Sequence, residues 1–408
     1  MKKAIVLGGT APHIALIERL KMRGYYTVLV DYLSNPPAKE YADEHIQEST
    51  LDPRIVLEIA RNIETDLVIS ACIDQANAIA CYVAERLNLP HPYSYDTALD
   101  VTQKHRMKSI MEQAGIPTSD FIVLDSDSTI SKLPISYPVV VKPVDCNSSK
   151  GVHRADSLME VNNYIKRAFS LSRERKVIVE KFVSGKEVQI DCCVADNQTK
   201  VIMTREKIKH DVDSNEVLQS SGSLVPAQIS IEAVKGIKEI AIKIANAFKL
   251  RNTPFFIQAI VDGSNISVLE FAPRIGGGLS YRLIEQATGF DILNAVIDSF
   301  EGKTIRLCYN KPDTYYATHL IYIEPSIFGR FSGVDAAKEK GLIEEFYYLK
   351  ASGTEIGKEL VSGNRVGAYI LKGSSIEEII EKKQDANSII KVLDIDGNVV
   401  NFKMMNRN

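Results

Sequence analysis

Residues 138–152 read PVVVKPVDCNSSKGV, and the order of residue types in them decides the fold. Residues 138–141 read as a short buried strand. Lys142 then stands where that strand is expected to leave the core, and an ammonium there must find water or an anion. The loop that follows, residues 147–151, is small and rich in hydroxyls. Its backbone N–H groups can fold over the oxygens of an anion as a flap.

Outward from this stretch, the chain of 408 residues exceeds the size at which one core stops growing, so two to four domains are expected. Apolar residues make up 45%, charged residues 25%, and the net charge is -3. That balance is the one of an ordinary globular protein and argues against wholesale binding of a nucleic-acid backbone. The cysteines stand at 72, 81, 146, 192, 193 and 308, with no CxxC pair, so neither a zinc knuckle nor a disulfide framework is indicated and a reduced cytoplasm is expected. The start, MKKAIVLGGT, holds an apolar run too short for a signal peptide, and no segment is apolar for long enough to span a bilayer.

The first hundred residues alternate strand and helix, with helices near 12–23, 53–62 and 75–88, which predicts a parallel sheet. NLPHPYSYDT reads as a linker. A single helix is expected over 97–114, stopped by Gly115 and Pro117. From 120 to about 270 the strands are closely spaced, with helices near 156–170 and 230–248, an α+β body. Two helices near 279–300 follow, and the last hundred residues place ATHLIYIE and RVGAYILKG around a helix at 375–383. The expected domains are 1–96, Rossmann-like; 97–305, with a flap subdomain at about 120–182; and 306–408, a small α+β closing domain.

GGTAPH after the first strand invites a dinucleotide reading, and Asp31 ends the second strand where a ribose-binding carboxylate would sit. The glycines are wrongly spaced, however: Gly8 and Gly9 are adjacent, and Pro12 and His13 replace the third. A tight strand-to-helix turn is the stronger reading. A Walker loop is excluded, because no GxxxxGK[ST] occurs.

In FFIQAIVDGSNISVLEFAPRIGGG, a three-residue loop at 263–265 would pair Asp262 with Ile266 and place Gln258 opposite Glu270. Side chains about 5 Å apart across two strands can share one magnesium at about 2.0 to 2.1 Å. A polar pair on a solvated sheet face is the bland alternative. Arg274, just before Gly276, Gly277 and Gly278, suits close approach to a phosphoryl group or carboxylate. In VEKFVSGKEVQIDCC, alternation puts Glu187, Gln189 and Asp191 on one face and Val188, Ile190 and Cys192 on the other. Arg205, Lys207 and Lys209 likewise share a face, read either as a cationic row or as lysines guarding a sheet edge. Two unit charges about 4 Å apart attract by about 4 kcal/mol at an effective dielectric near 20, so several cations would dominate triphosphate binding.

Taken in order, the first α/β segment, TQKHRMKSIMEQAGIP, VVVKP, the loop ending KGV, VEKFVSGKEVQID and LEFAPRIGGG resemble the ATP-grasp superfamily over most of the chain. The likeness is to its carboxylate–amine ligases, among them L-amino-acid ligases and glycinamide ribonucleotide synthetase, and to the carbamoyl phosphate synthase large chain. The resemblance implies that ATP and Mg2+ (or Mn2+) are bound. Lys104 and Lys142 would contact the phosphates, and Ser148, Ser149, Lys150 and Gly151 would form the flap. Glu180, Lys181, Phe182 and Val183 would read adenine, largely through backbone, and Glu187 would hold the ribose. Gln258 and Glu270 would ligate magnesium. Arg274 would lie against the transferred phosphoryl group, helped by Arg205 or Lys207. Gly276, Gly277, Gly278 and Arg282 are the candidates for gripping the substrate carboxylate, with a solvated helix residue as the alternative reading of Arg282. Ala272 stands where the family usually has Asn, and Gln258 where Glu is commoner.

The reaction implied is activation of a carboxylate as an acyl phosphate and its capture by an amine, with ADP and phosphate released. Its rivals are a bicarbonate-using carboxylase, a nucleotide-binding module without turnover and a nicotinamide oxidoreductase. The partners implied are small-molecule carboxylate and amine substrates, neither nucleic acid nor membrane, with a homodimer as the assembly to test.

Overall fold

The β-branched run at the N-terminus builds what its rhythm predicts. In the computed structural model, which describes residues 1–146, 151–209, 220–358 and 362–401, four parallel strands lie in the order Glu44–Ile46, Tyr25–Val30, Lys2–Leu7, Leu67–Ile69. Helices Ala11–Met22 and Pro53–Asn62 connect strands of this sheet and helix Asp74–Leu87 follows the last one, all within a residue or so of expectation. Ala4, Ile5, Val6 and Leu7 are all fully buried, as in a parallel sheet covered on both faces. Pro53 sits in the first turn of its helix, where its missing N–H costs nothing, and the Asp52 carboxylate accepts from the amides of Arg54 and Ile55.

The single helix expected over 97–114 is two: Tyr95–Thr102 and Lys104–Gln113. Gln103 between them is extended, with φ -96° and ψ 104°. The hydroxyl of Thr102 donates back to the carbonyls of Ala98 and Leu99, a local bond that competes with continuation of the helix. Lys104 thereby becomes the first residue of its own helix.

By internal packing the chain falls into two compact units: Met1–Thr118 with Gln189–Thr204 and Ile229–Lys311, and Ser119–Val188 with Arg205–Gln228 and Pro312–Asn408. The first holds the parallel sheet and the antiparallel hairpin Thr253–Asp262 and Asn265–Ala272. It also holds helices Ile231–Ala247, Ser280–Thr288 and Ile292–Phe300, close to where the periodicity puts them.

The second unit contains an antiparallel sheet in the order Phe121–Leu124, Val177–Lys181, Val139–Pro143, His153–Ala155. Helix Leu158–Leu171 covers it: Val139, Val141, Ala155, Val177 and Val179 pack against Val161, Ile165 and Ala168. Its other sheet runs from the end of strand Gln198–Lys209 through Ser220–Val225, Tyr315–Ile321 and Gly367–Gly373 to Glu345–Tyr348. The helix expected at 375–383 extends over Ile376–Ile389, capped by Ser375.

Gly222 has a steric reason to be glycine, since a Cβ there would sit 2.0 Å from the Thr318 carbonyl oxygen of the neighbouring strand. Gly222→Ala is expected to lower stability by about 1 to 3 kcal/mol, the usual range for overpacking, seen as a lower urea midpoint with an unchanged slope. No helix among the described residues is long and apolar enough to cross a membrane, and all six cysteines are free thiols.

Candidate active site

The hairpin delivers the pair that the sequence predicts, by a different route. The loop has two residues, Gly263 and Ser264, because Asp262 pairs with Asn265. Ala259 faces Val268, and a bulge at Leu269 then shifts the register so that Gln258 faces Glu270. The expected three-residue loop is therefore corrected. One residue fewer in the turn is offset by one extra in the strand, and bulges of this kind re-aim side chains near functional sites.

Both side chains keep access to solvent. Lys104, first in its helix, places Nζ 4.0 Å from Glu270 Oε2. That helix is tied to the hairpin by buried Lys108, whose Nζ donates to the Thr118 hydroxyl at 2.7 Å, which in turn donates to the Val268 carbonyl. Among the described residues no three His, Cys, Asp or Glu side chains form a cluster. One carboxylate and one amide oxygen fit a Mg2+ that keeps waters and takes substrate phosphates, rather than an all-protein cage.

Arg274 follows the hairpin. Its Nε and Nη2 donate to Asp74 Oδ1 and Oδ2 at 2.5 and 2.6 Å, Nη1 donates to the Ile275 carbonyl at 2.8 Å, and the guanidinium lies 4.9 Å from the Phe256 ring centroid. Sequence reasoning missed Asp74. Its only signal was its position, at the helix start beyond the carboxyl end of strand Leu67–Ile69, where open α/β sheets place ligand-facing groups. Gly277 and Gly278 are exposed, with nothing within 4 Å of where their Cβ atoms would be. Arg282 is 3.4 Å from Glu285 on its own helix.

In the second unit Lys142 does not leave the core. It lies inside strand Val139–Pro143, nearly buried, with Nζ 2.7 Å from Glu180 Oε1. The other Glu180 oxygen accepts from the Ser119 hydroxyl at 3.1 Å. Alternation explains the placement: Val139 and Val141 fill the core beneath the helix, so Lys142 projects from the opposite face, where Glu180 arrives opposite Val140. A buried ammonium needs such a partner.

Beyond Glu180, the amides of Lys181 and Phe182 donate to the carbonyls of Asp120 and Pro138, so these two donors are already spent. Lys181 Nζ donates to the Ser136 and Tyr137 carbonyls, and Arg154 lies over the Phe182 ring at 4.8 Å. Glu187 accepts from Lys207 at 2.7 Å and Lys209 at 2.9 Å, so these lysines share a face as expected. Burial pushes its carboxyl up, and the two lysines outweigh that, leaving it lowered to about 2. Arg205 is buried.

The face of Gln189 and Asp191 is covered rather than open. Both are buried, with Gln189 donating to Asp191 at 2.9 Å. Gly151 has φ +72°, and a Cβ there would meet Leu171 at 2.7 Å. Ser148, Ser149 and Lys150 lie outside the described residues.

The GGTAPH segment is a structural turn. Asp31 accepts from the amides of Gly9 at 2.7 Å and Leu33 at 2.9 Å, so its carboxylate is built into the loop. A Cβ on Gly9 would lie 2.5 Å from Pro36. His13 is buried against Thr10 and Ser70, and burial lowers its pKa to about 4.

Residues 110–264 match the family model of the D-ala D-ala ligase C-terminus. Over 211 residues the chain is 26% identical to a D-alanine–D-alanine ligase of Acetivibrio thermocellus, covering 47% of this chain and 55% of that protein. A carbamoyl phosphate synthase large chain of a Thermoanaerobacter species is 22% identical over 252 residues, 61% of this chain and 23% of that protein. The alignment thus spans about half the length of the first relative and less than a quarter of the second.

Likeness of fold extends further. An L-amino acid ligase from Bacillus licheniformis superposes with a TM-score of 0.79 at 20% identity, covering 97% of this chain and 99% of that one. Phosphoribosylglycinamide synthetase from Anaerococcus prevotii gives 0.76 at 18% identity, covering 96% and 99%. These likenesses of fold, at TM-scores of 0.76 and 0.79, give the chain the ATP-grasp fold.

Proposed function

We propose that this protein is an ATP-dependent ligase that activates a substrate carboxylate as an acyl phosphate and joins it to an amine. The observation that carries the reading is the Gln258–Glu270 pair, one carboxylate and one amide in register, with Lys104 beside it and Arg274 at the end of the same hairpin. In this reading Lys104 and Lys142 neutralise phosphate charge. Ser148, Ser149, Lys150 and Gly151 close over it, Glu180, Lys181, Phe182 and Val183 read the base, largely through backbone, and Glu187 holds the ribose. A bound Mg2+, held by Gln258 and Glu270, would offset the charge of the phosphate oxygens.

The substrate carboxylate oxygen forms a bond to the γ-phosphorus as the bond from that phosphorus to the bridging oxygen of ADP breaks. Arg274, with Arg205 or Lys207, stabilises charge as the phosphoryl group passes. The amine nitrogen then bonds to the acyl carbon, the C–O bond to phosphate breaks, and the nitrogen loses a proton. Gly276, Gly277, Gly278 and Arg282 hold the substrate carboxylate. Domains at 1–96, 97–305 and 306–408, a cytoplasmic location and a homodimer belong to the same reading.

The test is a screen of amino acids, short peptides and sugar acids for stimulated phosphate release, followed by isolation of an amide. ADP release that needs bicarbonate and no amine would make the protein a carboxylase. ATP bound without stimulated turnover would make it a nucleotide-binding module.

Lys142→Ala is expected to raise the KM for ATP and also to destabilise the fold by about 3 to 5 kcal/mol, because it strands the buried Glu180 carboxylate. Adding Glu180→Gln should restore part of the thermal stability but not the ATP affinity. Recovery of both would remove Lys142 from the phosphate site.

A further inference from the structure

We propose that Asp74 is a positioning residue for the acyl-phosphate step, aiming the Arg274 guanidinium at the phosphoryl group; this rests on the ligase reading above. An arginine is cationic with or without a partner, so what a carboxylate adds here is direction rather than charge. Asp74 takes the side edge of the guanidinium, Nε and Nη2, at 2.5 and 2.6 Å. The Ile275 carbonyl takes one hydrogen of Nη1, and the Phe256 ring sets the plane from 4.9 Å. Of the five N–H bonds, one on Nη1 and one on Nη2 are not used by these partners among the described residues, which is what an incoming phosphoryl or carboxylate oxygen needs.

The mount is rigid. Asp74 opens a helix whose Ala76, Ala80, Val83 and Ala84 are buried, and the Tyr93 hydroxyl donates to the Pro273 carbonyl at 3.1 Å, holding the turn that carries Arg274. Asp74 and Arg274 both belong to the first compact unit although 200 residues separate them in sequence. Among the described residues no other carboxylate is within bonding distance of Arg274. Geometry of this kind matters for rate, because a misplacement of about 1 Å can cost about 100-fold.

The same bidentate contact could instead be a latch, with Asp74 occupying the place of the substrate carboxylate until displaced. The two readings predict opposite changes on neutralising Asp74.

The experiment uses the full chain as wild type, Asp74→Asn, Asp74→Glu, Arg274→Lys and Asp74→Asn/Arg274→Lys, following carboxylate-stimulated ADP release and binding of a non-hydrolysable ATP analogue. Asp74→Asn should lower kcat by about 10- to 100-fold while the analogue's affinity stays within about twofold. Asp74→Glu keeps the charge and should lose less, and it carries the test if Asp74→Asn does not fold. In the double variant Asp74→Asn should add less than about threefold to the loss from Arg274→Lys, because the pair is already broken.

Wild-type kcat in Asp74→Asn, losses that multiply in the double variant, or a lower carboxylate KM with kcat unchanged or raised would each overturn the role, the last in favour of the latch. A wild-type control with no carboxylate-stimulated ADP release would remove the ligase reading itself, and the role with it.

Discussion

Glu270→Ala is expected to cut ADP-forming turnover at ordinary magnesium by about 100- to 1000-fold, the scale on which a lost electrostatic contact to the transferred group is felt. The fold should survive. The Glu270 side chain is more than a third exposed, and its contact with Lys104 is long, at 4.0 Å, so its removal breaks only a weak pair. Glu270→Gln sharpens the test. It keeps an oxygen in place but, opposite the already neutral Gln258, leaves neither of the paired side chains charged. Activity should then fall nearly as far and recover partly as magnesium is raised. Near-normal turnover in Glu270→Ala would contradict the metal assignment.

Arg274→Lys should lower kcat by about 100-fold or more, although the charge is conserved, because an ammonium cannot make two parallel bonds to one carboxylate, a third to a carbonyl, and still stack on a ring. All three contacts are present here: Asp74, Ile275 and Phe256. The substitution should also lower thermal stability, since Asp74, itself largely buried, would lose one of its two donors. The check is kcat together with the melting temperature. Unchanged kcat with a lower melting temperature would make Arg274 a structural residue only.

Much of the fold and the pairing of Gln258 with Glu270 were legible in the sequence, and the reason is local. Strand-and-helix alternation over the first hundred residues needs only neighbours at two or four positions to declare itself, and the helices fall within a residue or so of expectation. The Gln258–Glu270 pairing was also reachable, since a hairpin is the shortest-range tertiary contact. Even so, the loop length was misjudged and the answer survived because the bulge at Leu269 compensated. The break at Gln103 was missed, because a hydroxyl bonding back to its own helix leaves no mark on the apolar pattern.

By itself, the sequence determined the fold class and the order of the motifs along the chain. Only the tertiary structure decided that Lys142 turns inward onto Glu180 and that Arg274 is held in a fork by Asp74. A lysine at a strand end reads the same whether it meets water or a carboxylate from the next strand. A pair 200 residues apart is likewise invisible to any periodicity. Charge partners are chosen by the folded geometry that brings them together, whereas amphipathic patterns are written residue by residue along the chain.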